Sequence, residues 1–141
     1  MEVSEVRKRL LHAMERARRA AAERRARVDQ ASRDYDVFLE RIAVPLFHQV
    51  AAALKAEAYI FNVFAPGGSV RLMSERAAED YIELTLDVAG PEPRVVGHCS
   101  RIRGRRVLES ESPIADVAIQ DLTDEHVLEF VLKELEPFVE R

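Results

Sequence analysis

The stretch MEVSEVRKRLLHAMERARRAAAERRARVDQASRDYDVFLERIAV, residues 1–44, contains neither Gly nor Pro and stops against Pro45. It is rich in Ala, Arg, Glu and Leu, all good helix formers. Its apolar residues recur at a spacing of 3.5. With heptad position a at Met14, Ala21, Val28, Tyr35 and Ile42, position d falls on Val3, Leu10, Ala17, Arg24, Ala31 and Phe38. Only Arg24 in this set is charged. A stripe kept up over so many heptads predicts one long helix with a coiled-coil-like seam. Fully helical, it would extend about 66 Å at 1.5 Å per residue. A body of about 100 residues, with a radius of gyration near 13 Å, cannot cover that length. Part of the helix is therefore expected to protrude or to pair with another chain.

The exposed faces agree. Glu5–Arg9, Glu15–Arg19, Glu23–Arg27 and Asp29–Arg33 are i,i+4 pairs with the acid first, the favourable order. The first half of the seam is Ala-rich, so it buries little apolar area per turn. The larger anchors, Val28, Tyr35, Phe38 and Ile42, lie nearer the rest of the chain.

Charge divides the molecule. Residues 1–33 hold ten Arg/Lys and five Asp/Glu, a net +5; residues 34–141 hold eleven and twenty, a net −9. Eighteen of the 21 basic residues are Arg and three are Lys, a bias that a GC-rich genome also produces. On a helical wheel Arg7, Arg18 and Arg25 flank one side of the stripe, and Arg9, Arg16 and Arg27 flank the other. Basic residues that ring a stripe read first as a solvated coil face. Phosphate contact along the helix is the competing reading.

Pro45 is expected to kink or restart the helix, because it lacks a donor and its ring strikes the preceding turn. Leu46, Phe47, Val50 and Leu54 then continue an amphipathic helix to about Glu57. Strand patterns follow. Tyr59, Phe61 and Val63 alternate with Ile60, Asn62 and Phe64. Pro66-Gly67-Gly68-Ser69 has the chemistry of a turn, and Val70 and Leu72 start a return strand. In Asp80–Val88, Ile82, Leu84, Leu86 and Val88 share one face, leaving Tyr81, Glu83, Thr85 and Asp87 on the wet one. Arg94–Ile102 and Arg106–Ser110 make a hairpin about Arg103-Gly104. Residues 113–122 are an irregular connector. Thr123 is an N-cap, and Val127, Leu128, Val131, Leu135 and Phe138 line a last helix whose final turn Pro137 should disrupt.

The expected class is α+β: a long N-terminal helix, an antiparallel meander of four to five strands, and a C-terminal helix packed on the sheet. The expected division is a protruding helical segment, 1–33, and a small α+β domain, 34–141. By element order alone the arrangement resembles the dimeric secretion-chaperone and RWD-like folds. A resemblance of that kind implies a fold and not a function.

Catalytic chemistry finds little support. His98-Cys99 is the natural place to seek a nucleophile, but neighbours on a strand point to opposite faces. One Cys and four scattered His lack zinc-type spacing. Glu75, Glu79, Asp80, Glu83 and Asp87 form no calcium loop. The Gly67-Gly68 turn lacks the Lys-Ser/Thr ending of a phosphate loop. No metal or cofactor is expected. Arg101, Arg103, Arg105 and Arg106 cluster at a hairpin tip, either as an anion or partner contact or as a charged tip that discourages edge pairing. No signal-peptide pattern opens the chain. No run approaches the roughly 18 apolar residues of a membrane span. With a single Cys, these features predict a cytoplasmic protein without membrane contact.

The functional expectation is a non-enzymatic interaction or adaptor-type module. It would form a homodimer, or pair with a partner helix, through Leu10, Met14, Ala17, Ala21, Val28, Ala31, Tyr35, Phe38 and Ile42. The sheet body would face a protein partner. The alternative is nucleic-acid association through Arg18, Arg25 and the Arg101–Arg106 tip.

Overall fold

The computed structural model describes residues 1–140. Helix α1 spans Val3–Phe38, a π-helical turn spans Leu39–Ala43, and helix α2 spans Val44–Ala56. One helical path thus passes through Pro45. An ordinary turn there would set the proline ring against the Arg41 carbonyl and leave that carbonyl without its donor. The wider turn avoids this. Val44 N–H reaches back to the Leu39 carbonyl, and Pro45 falls in the first turn of α2, where no donor is needed.

The same turn resets the buried face. Burial runs through Ala31, Tyr35 and Phe38, then resumes at Ala43, Leu46, Phe47, Val50 and Leu54. Ile42, the expected seam residue, is only half-buried, and Ala43 takes the fully buried place. Continuity also has a compositional consequence. By length and composition alone, Val3–Ala56 contains a window apolar enough to cross a membrane, contrary to the expectation from the sequence. Its least charged stretch, residues 37–54, supplies Phe38, Ala43, Leu46, Phe47, Val50 and Leu54 to the core. Core helices pass the same test.

Helix α2 ends at Ala56, and two residues on Ala58 adopts a φ of 70°. Tyr59 N–H closes the end onto the Leu54 carbonyl, as a Schellman cap does. Strands β1 (Phe61–Phe64), β2 (Ser69–Ser74), β3 (Tyr81–Asp87), β4 (Arg94–Arg103) and β5 (Arg106–Pro113) form an antiparallel meander in chain order. Val70 lies opposite Leu84 and Leu72 opposite Ile82; Ile82 lies opposite Cys99 and Leu84 opposite Gly97. That register puts one apolar row under the helices. Val88, expected on this row, falls beyond β3 and is exposed.

Helix α2 packs on β1 and β2, and helix α3 (Asp124–Val139) packs on β4. Gly97 makes the second contact possible, because a Cβ there would collide with the Phe130 ring. Phe61 and Phe138 meet edge to face, with centroids 5.9 Å apart. A short 3-10 turn, Ile119–Asp121, buries Ile119 beneath the end of α1.

Thr123 caps α3 as its side chain predicts, accepting the His126 N–H. His126 Nδ1 in turn accepts the Thr123 N–H at 3.0 Å, so His126 takes the place Glu or Gln usually holds in this box. Pro137 does not end the helix, which continues to Val139. Its missing N–H removes a single bond, to the Lys133 carbonyl, one turn from the end.

Candidate functional site

The stripe on α1 meets two fates. Ala31, Tyr35 and Phe38 are buried in the chain's own core, and Val28 and Ile42 are half-buried. Ala31, Tyr35 and Phe38 are not free for a partner, whereas Val28, at the edge of the core, keeps part of its surface exposed. Tyr35 anchors the boundary, its hydroxyl donating to the Gly68 carbonyl at 2.7 Å. Gly68 sits at a φ of 83° in the β1–β2 turn, so the helix is pinned to a turn that glycine shapes.

Before Val28 every residue is exposed. Leu10 is 57% and Met14 39% accessible, and Val3, Val6 and Leu11 are exposed with them. Ala17 and Ala21 continue the same face and are exposed too. The arm leaves the body at a shallow notch of about 230 Å³. The notch lies between Arg27, Gln30, Ala31 and Asp34 of α1, Glu92 and Pro93 of the β3–β4 loop, and Ala118–Gln120.

Two of the four expected ion pairs along α1 form: Arg9 to Glu5 at 3.0 Å and Arg19 to Glu15 at 3.5 Å. Arg33 instead donates to Gln30, which bonds Asp34. Gln30 offers it an acceptor that Asp29 was expected to supply. Among the described residues, Arg7, Lys8, Arg16, Arg18, Arg24, Arg25 and Arg27 have no carboxylate within ion-pair distance.

The tip between β4 and β5 turns through Gly104 at a φ of 64° and Arg105. A positive φ confined to the first central residue is the pattern of a type II′ turn. Arg103, Arg105 and Arg106 are exposed, and Arg101 is half-buried. None of the four is ion-paired among the described residues. Arg101 and Arg103 line a cleft of about 320 Å³ that also holds Asp80 and Glu140. Arg18 and Arg25 lie on the arm, on a different element from this tip.

Cys99 and His98 take opposite faces of β4, as alternation requires. Cys99 is buried on the helix side. Burial first, and the Glu134 carboxylate second, push its thiol up to about 12. A thiol so held is protonated at neutral pH and is a poor nucleophile.

On the uncovered sheet face the structure assembles a ladder that spacing alone did not reveal. Arg71 Nε bonds Glu83 Oε2 at 2.9 Å, and its guanidinium lies 3.9 Å above the Tyr81 ring. Tyr81 stacks on His98, with centroids 5.8 Å apart and planes 12° apart. His98 lies 3.6 Å from Glu109 and 3.8 Å from Glu111 of edge strand β5, which backbone pairing holds to β4. His98 Nε2 is buried without a hydrogen-bond partner. Cross-strand register was the missing signal: Glu83 and Glu111 both lie opposite His98, and pairing partners cannot be read from one strand at a time.

Among the described residues, no group of three or more His, Cys, Asp or Glu side chains converges to hold a metal ion. Set against known proteins, the chain matches no family model, no curated protein and no solved structure.

Proposed function

We propose that this protein is a non-enzymatic interaction module that self-associates through the exposed arm of α1. The observation that carries the reading is the apolar face Val3, Val6, Leu10, Met14, which the chain's own body leaves uncovered. An isolated helix gains its stability mostly from packing, and an arm without packing is marginal in water. A second helix on that face would supply the missing burial.

The test is the mass of the full chain by light scattering, compared with the double variant Leu10→Glu, Met14→Glu. A dimeric mass that falls to the monomer in the variant supports the reading. A monomeric wild-type chain at all concentrations ends it.

The unpaired Arg of the arm and of the Arg101–Arg106 tip favour a second reading, association with nucleic acid. That reading requires affinity that falls steeply as salt rises. Arg18→Glu with Arg25→Glu separates the two, abolishing nucleic-acid binding while leaving the oligomer largely intact.

A further inference from the structure

Pairing through the arm, on which this inference rests, can run in either direction. Because Ala31, Tyr35 and Phe38 belong to the chain's own core, the free stripe runs from Val3 to Val28. Two copies overlaid antiparallel along that whole length set Val3 opposite the partner's Val28. The two-fold axis then passes between Glu15 and Arg16. In this overlay every a position meets a d position, with Leu10 opposite the partner's Ala21 and Met14 opposite the partner's Ala17. We infer that two copies of this chain pair antiparallel in this register.

Packing volume supports it. Leu10 and Met14 each face an Ala and Val3 faces Val28, so at these layers the distance between helix axes stays even; Arg7, at the a position before Met14, faces the partner's Arg24. A parallel pair stacks Leu10 on Leu10 and Met14 on Met14, then Ala17 on Ala17 and Ala21 on Ala21. Its axes would have to spread and close along the seam, or leave voids. The flanks agree. Arg18 and Arg25 come beside the partner's Leu11 and the partner's Ser4, not beside their own copies. On the opposite flank Ala13 faces the partner's Ala20, which permits close approach.

Charge supports the same direction. The arm segment carries +5 and the remainder −9. Antiparallel pairing holds the two acidic bodies at opposite ends of the paired arms. Parallel pairing brings the two acidic bodies together at one end, while the cationic arms lie side by side in either direction. One contact works against both directions equally. Arg7 meets the partner's Arg24 twice in the antiparallel pair, and each Arg meets its own copy in the parallel one. Long Arg stems can carry these charges out to water.

The experiment is disulfide trapping in the full chain. Leu10→Cys and Ala21→Cys are made separately, with tags of different mass, and oxidised alone and mixed; wild type, whose buried Cys99 stays unlinked, is the control. In an antiparallel pair two copies of the residue at position 10 lie about 16 Å apart along the axis, beyond the roughly 4.4–6.8 Å Cα separation a disulfide accepts. The expected result is no linked dimer from either variant alone and a mixed dimer on combining them. Self-linking of each variant, or a dimeric mass with no link in the mixture, overturns the inference and leaves self-association standing. A monomeric mass overturns both.

Arg7→Glu gives an independent reading. It should tighten the dimer several-fold by turning both Arg–Arg layers into Glu–Arg layers. In a parallel pair the introduced carboxylate would face its own copy, so unchanged or weaker association counts against the antiparallel register.

Discussion

The two halves of the first helix share one apolar periodicity and have opposite surroundings. From Val28 to Ala56 the apolar face, reset at the π turn, is covered by the 3-10 turn and the sheet, and Phe47 is fully buried. From Val3 to Arg27 it lies on nothing, and Leu10 is 57% exposed. Periodicity makes a face; it does not choose what covers that face. Side-chain size differs with the surroundings. The covered half buries Tyr35, Phe38, Leu46, Phe47 and Leu54, whereas the free half carries Leu10 and Met14 and then Ala17 and Ala21. A large residue needs a deep bed, and a small one suits a close helix partner.

The sharpest way to break the comparison is to truncate one residue in each half. Phe47→Ala should cost about 3–5 kcal/mol in urea unfolding. Leu10→Ala should change folding stability of the monomer by less than about 0.5 kcal/mol, while weakening any dimer. Equal losses at the two sites would show that the arm is covered in solution within a single chain.

Next in size is Gly97→Ala, at about 1–3 kcal/mol of destabilisation, because α3 must shift to clear the Phe130 ring. A neutral result would mean that α3 lies further from β4 than the structure places it. Tyr35→Phe, at the boundary of the two halves, removes the bond to Gly68 and should cost about 1 kcal/mol. Chemical unfolding checks both.

Alkaline pH discriminates the covered half from the free one. Burial lifts the Tyr35 phenol well above its ordinary value, and Cys99 is raised to about 12 against 9.0. The unfolded chain therefore releases these protons at lower pH than the folded chain, so stability falls as pH rises from about 9 towards 12. Cys99→Ala should make that decline shallower. An unchanged slope would remove the thiol from the account.

The smallest effect belongs to the arm. Glu5→Ala breaks the ion pair with Arg9 and should cost about 0.2–0.5 kcal/mol of local helicity, visible as faster amide exchange between residues 3 and 12. No change would show that this exposed pair contributes nothing to the arm.

Much of the fold was legible because its signals are local. The alternation of Ile82, Leu84 and Leu86, the Gly67-Gly68 and Gly104 turns, and the Thr123 cap each depend on a few adjacent residues. The misreadings divide between position along a helix and contacts across strands. Pro137 is tolerated because only two residues of α3 follow it. Arg33 turned to Gln30 because a closer acceptor was available on the same face. The ladder from Arg71 through Tyr81 to His98 was invisible because it joins three strands. Its contacts depend on register across β2, β3 and β4.

By itself the sequence determined the unbroken helical run, the faces of the strands, the position of the cap and the basic-to-acidic division of charge. Each follows from backbone propensity or periodicity over a few residues. Tertiary structure alone decided where along one continuous stripe cover begins, how a π turn carries the helix through Pro45, and that Ala43 displaces Ile42 in the core. The physical reason is range. Hydrogen bonding and side-chain spacing along a helix are settled by near neighbours, whereas burial depends on which distant surface arrives to exclude water.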